Sequence, residues 1–117
     1  MTDTKLIQTR LIQQVHTAAM RCITSSINEA ALPEKKLLLG EATQLNGLIT
    51  FLTLSDFAKR TAEFDNVESD LSKSVALVEE KLRVLEEAVE SAKTAVEIAT
   101  IADQIAQIAA GIAARVA

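Results

Sequence analysis

The chain has 117 residues, 49% of them hydrophobic, and a formal net charge of −4. That length makes one domain, able to bury roughly 65% of the surface its unfolded chain would expose without needing a disulfide. Acidic and basic residues are interspersed, which argues against phosphate-backbone binding. The absence of Trp and Tyr removes the usual anchors of protein interfaces and of base stacking.

Ala, Leu, Ile, Glu, Lys and Gln dominate, with three Gly and one Pro, so the chain is expected to be all-α. The predicted architecture is a single domain over 1–117, an up-and-down bundle of three to four helices with a long, bent C-terminal helix. Cys22 is the single cysteine, so no intramolecular disulfide can form and a reducing compartment suits the chain. Gln8, Thr9, Arg10, Gln13 and Gln14 interrupt the N-terminal segment, which a signal peptide would fill with about 7–15 apolar residues. A cytoplasmic location is the expectation.

The first helix is predicted over 3–31. Ile7, Leu11, Val15, Ala18 and Cys22 recur at i+3/i+4 spacing and make one apolar face, with Ile12, Ala19 and Ile23 beside it. Pro33 ends it and opens the second helix, predicted over 34–54, with Glu34 at the positive end of the dipole. Leu38, Leu45, Leu48 and Leu52 form its seam. Gly40 and Gly47 lie on the opposite flank and call for a bend or for another backbone packed closely. A short helical turn is expected over 56–63.

Asp65 and Glu68 have the spacing of a capping box, which starts a helix predicted over 66–115. Its line Val78, Leu82, Leu85, Val89, Ala92, Val96 and Ala99 alternates steps of four and three, in the manner of a coiled coil. No Gly, Pro or Asn marks a turn between Val89 and Ala110, and a bend is expected between Ser91 and Thr100, where the apolar line shifts phase. An uninterrupted helix there overhangs the bundle and pairs with another copy; a bent one folds back.

Wound at about 100° per residue, the stretch from Thr94 to Ala117 sorts into sectors. One holds Ile98, Ile101, Ile105, Ile108, Ile112 and Val116. The next holds Ala95, Ala99, Ala102, Ala106, Ala109, Ala110 and Ala113. A stripe that wide needs more than one neighbour, and its small alanines admit a close helix. The candidate interaction face is therefore Ile98, Ile101, Ala102, Ile105, Ala106, Ile108, Ala109, Ile112 and Val116. The partner expected for it is a second copy or another helical protein, in a small, non-enzymatic interaction protein.

Nothing in the chain points to catalysis, a cofactor or a metal. His16 and Cys22 lie on one helix about 120° apart, so they cannot share an ion without outside ligands. Glu79, Glu80, Glu86, Glu87, Glu90 and Glu97 flank the apolar seam and read as a solvated face. Lys35-Lys36 and Lys59-Arg60 are the basic clusters, too thin for nucleic acid. Glu41 sits where the second helix should carry a leucine. It is explained by a helix break at Gly40 that leaves it in a first turn, or by a pair with Arg21 or Lys36; otherwise it is a ligand-facing acid or a switch. Membrane activity of the C-terminal helix is the alternative function. Asp103, Gln104 and Gln107 interrupt that helix, and its polar face lacks the basic and aromatic residues of surface binders.

Overall fold

A computed structural model describes residues 4–57 and 67–116, apart from the side chains of Thr4, Val67, Glu68 and Val116. Among the described residues there are four helices and no strand: α1 (Thr4–Ile27), α2 (Leu32–Leu54), α3 (Val67–Glu90) and α4 (Ala95–Val116). The short turn expected over 56–63 and the cap at Asp65 and Glu68 lie outside the described residues, except that Phe57 is buried in the core.

Polar contacts fix the directions. Near the start of α1, the Gln8 amide donates to the carbonyls of Leu52 and Ser55 at the far end of α2, at 2.7 and 3.0 Å. Arg115 at the end of α4 reaches Asp70 at the start of α3 at 2.7 Å. Gln14 donates to the Val75 carbonyl at 3.4 Å and Arg21 approaches Glu86 at 4.0 Å, so α1 and α3 run the same way. Two antiparallel hairpins therefore lie side by side, α1 on α3 and α2 on α4, with α1 also meeting α4. Among the described residues α2 and α3 do not touch.

The α1 helix stops at Ile27, earlier than the expected Ala31. The Ser26 hydroxyl turns back to the Ile23 carbonyl at 2.6 Å, and the Glu29 carboxylate accepts the Ala31 amide at 3.1 Å. The chain needs those residues to reverse, whereas proline restricts only the residue directly before it. Pro33 then lies in the first turn of α2 with Glu34.

The C-terminal half differs more. In place of one bent helix over 66–115, the chain reverses completely at Ser91–Thr94. Ala92 adopts a left-handed conformation with φ 53°. Its amide donates to the Val89 carbonyl at 3.2 Å, and the Lys93 amide donates to the Ala88 carbonyl at 3.0 Å. This crossed pair is the helix-ending arrangement that glycine usually completes. The Glu97 amide then donates to the Thr94 hydroxyl at 3.2 Å, which caps α4.

Alanine in the left-handed region is strained by about 1–2 kcal/mol, which glycine escapes. Ala92 is exposed, so little packing is lost with its methyl group. Ala92→Gly is expected to stabilise the protein by about 0.5–1 kcal/mol, after the extra freedom of glycine in the unfolded chain is deducted. A urea midpoint that falls would show that the turn has another conformation in solution.

Candidate functional site

The predicted interaction face lies inside the molecule. Ile98, Ala102, Ile105, Ala106, Ala109 and Ile112 are buried, and Ile101 and Ile108 are half-buried against the same core. The side chain of Val116 lies outside the described residues. The stripe is wide because α4 packs on three neighbours, α1, α2 and α3. The fold-back at Ser91–Thr94 supplies those neighbours from within the chain, so an overhanging half awaiting a second copy is corrected to a core helix.

Among the described residues, exposed large apolar side chains are most numerous on α2. Leu54 is 82% exposed and Leu32 60% exposed, with Phe51, Leu39 and Leu37 also open to solvent. Leu39, Thr43, Gly47, Thr50 and Leu54 fall within one sector of roughly 80°, opposite the buried Leu38, Ala42, Leu45 and Leu52. Glu41 is the single charged residue between Lys36 and Asp56. Two threonines on this face turn their hydroxyls back into the helix, Thr43 to the Leu39 carbonyl at 2.9 Å and Thr50 to the Asn46 carbonyl at 3.4 Å. Their methyl groups are left facing outward. A Cβ at Gly40 or Gly47 would meet nothing within 4 Å. The helix neither breaks at these glycines nor packs a neighbour against them.

In the sequence only Gly40 and Gly47 mark this flank, because Leu39 and Leu54 fall outside the regular seam on the other side. The signal was present: a charge-poor run of helix length with apolar residues all round its circumference implies burial on more than one side.

Glu41 is in the middle of α2, so the break at Gly40 that would place it in a first turn does not exist. Arg21 turns to Glu86 instead, and among the described residues no cation pairs with Glu41. One carboxylate oxygen, Oε2, is buried without a hydrogen-bond partner. Glu41 lines a cleft of about 260 Å³ between α2 and α4, together with Leu37, Val96, Ala99, Thr100 and Asp103. Burial, and secondly the charge of Asp103, hold the Glu41 carboxyl above the ordinary carboxylate range.

Cys22 is fully buried and free. Burial first, then the charge of Glu41, pushes its thiol up to about 12. A thiol held protonated is a poor nucleophile and a poor metal ligand. His16 is exposed on the outer side of α1. Glu79, Glu80, Glu87, Glu90 and Glu97 are exposed and Glu86 half-buried, so they form the solvated face expected of them. A second cleft of about 230 Å³ lies where the two hairpin turns meet, with Ser25, Asn28, Glu29 and Lys93 among its lining residues. Compared with protein-family models, curated proteins and solved structures, the chain matches none.

Proposed function

We propose that this is a non-enzymatic helical protein that associates with a second copy of itself, through the outer face of α2 rather than through the Ile/Ala stripe of α4. The observation that carries this reading is the uncharged sector Leu39–Thr43–Gly47–Thr50–Leu54, open to solvent on a helix whose hydroxyls are already bonded internally. Desolvating such a face leaves no polar side chain on Thr43 or Thr50 without a partner, which removes the usual penalty of burial.

Small residues let two helix backbones come close, and Gly40 and Gly47 hold open the space that a neighbour would occupy. A second copy suits the charges at the two ends. The last turn of α2 carries no basic residue, while Lys35 and Lys36 stand at its start. An antiparallel crossing near Thr43 and Gly47 brings each pair of lysines to the negative end of the other helix dipole. The crossing is two-fold symmetric and therefore closed. A helix of 23 residues is roughly 34 Å long at about 1.5 Å per residue. One such pair is at the small end of interface sizes, so the dimer is expected to dissociate on dilution.

Light scattering over a concentration series tests this with Gly47→Glu. The new side chain meets nothing within the protomer, and glutamate is the better helix former. The variant is expected to fold at least as stably as the parent and to remain monomeric where the parent is dimeric. A parent that is monomeric at every concentration, or a dimer indifferent to Gly47→Glu, overturns the proposal.

A lipid surface is the second reading. It is favoured by two helices, Leu32–Leu54 and Ala95–Arg115, being long and apolar enough to cross a membrane. Leakage of phosphatidylglycerol vesicles by the monomeric protein would put this reading first.

A further inference from the structure

The seam between α2 and α4 holds a second device, independent of the outer face of α2. Each wall of its cleft contributes one carboxyl group, Glu41 from α2 and Asp103 from α4, among Leu37, Val96, Ala99 and Thr100. The two acids are not equivalent. Asp103 accepts a hydrogen bond from the Gln107 amide at 3.2 Å, one turn further along α4. Among the described residues Glu41 has no such donor, and its buried Oε2 is left without a partner. The structure assigns to this pair the role of a proton-controlled latch: a proton held on Glu41 keeps α4 seated on α2, and its loss places two charges across an apolar cleft and loosens α4.

The surroundings leave little else to neutralise Glu41. Among the described residues α2 packs against α1 and α4 only. The titratable groups facing Glu41 are the Cys22 thiol from α1 and Asp103 from α4. Neither can supply a positive charge. Loosening α4 would uncover Ile98, Ala102, Ile105 and Ala106, the apolar stripe it buries in the closed bundle.

The direction of the pH effect follows from the carboxyl being raised in the folded protein. As pH falls, the bundle with α4 seated takes up this proton before the form with α4 released and Glu41 in water does, so the seated form is favoured. The gain grows as pH falls through the folded value and levels off below the ordinary carboxylate value. Above the folded value the full penalty is present.

Amide hydrogen exchange at pH 5 and pH 8, corrected for the intrinsic rate at each pH, reads the latch on the intact chain. In the parent, α4 is expected to be measurably better protected at pH 5 than at pH 8, because the Glu41 carboxyl is raised in the folded protein. Glu41→Gln should remove that difference and keep α4 protected at both values. Asp103→Asn should narrow it, because the charge that opposes ionisation of Glu41 is gone. An equal pH effect in the parent and Glu41→Gln overturns the proposal. So does a pH effect spread evenly over all helices, which would mean that overall stability changes and α4 is not released.

Discussion

Ile105→Asp is expected to leave the protein largely unfolded at neutral pH. Ile105 is fully buried in the middle of α4, a helix in contact with all three others among the described residues. Removing the side chain of a buried isoleucine costs about 2–5 kcal/mol. An ionised carboxyl left there without a partner adds several kcal/mol more. A domain of this size has roughly 5–15 kcal/mol of stability in total, so one substitution consumes most of it. Circular dichroism should show the loss of helix at pH 7 and its partial return near pH 4, where the introduced carboxyl becomes neutral. A melting temperature equal to that of the parent would mean that the face of α4 bearing Ile105 is not inside the protein.

The alanine sector gives the second large effect. Ala102, Ala106 and Ala109 are fully buried, so their small size matters for packing and not only for helix propensity. Ala106→Leu is expected to destabilise by about 1–3 kcal/mol through overpacking, although leucine is nearly as good a helix former as alanine. Ala106→Glu should be worse, since the seam offers its charge no place to reach water. A solvent-facing sector would leave both variants close to the parent. Chemical denaturation of the pair separates the two cases. Because the stripe is intramolecular, the losses should not depend on protein concentration, in contrast to the association tested by Gly47→Glu.

Local rules account for a good part of the fold. The heptad-like spacing of Leu38, Leu45 and Leu52 put these residues on the buried side of α2, where they lie. Ile7, Leu11, Val15, Ala18 and Cys22 are buried on α1 as their spacing requires. The breadth of the Ile/Ala stripe demanded more than one neighbour, and α4 has three. Those inferences work because a helix of known pitch turns residue spacing directly into a buried face.

The reversal at Ser91–Thr94 was written less clearly. Thr94 and Glu97 have the Thr-x-x-Glu spacing of a capping box, and the Thr94 hydroxyl does accept the Glu97 amide. The apolar line through Val89, Ala92, Val96 and Ala99 runs across that signal without a break, and Ala92 stands where glycine would announce the turn. A continuous helix is the better local solution for such a segment.

Helix propensity and residue spacing alone dictate that the chain is helical, which residues of each helix seek cover, and that the Ile/Ala stripe is covered. Apolar burial is non-directional, so the same stripe is satisfied equally by α1, α2 and α3 or by a second molecule. Tertiary structure made that choice. Packing α4 back against three helices outweighs the roughly 1–2 kcal/mol of strain at Ala92, a cost that no local preference of alanine would accept. The fold-back also fixed what remains outside: with α4 on one flank of α2 and α1 on another, the sector from Leu39 to Leu54 is left facing water.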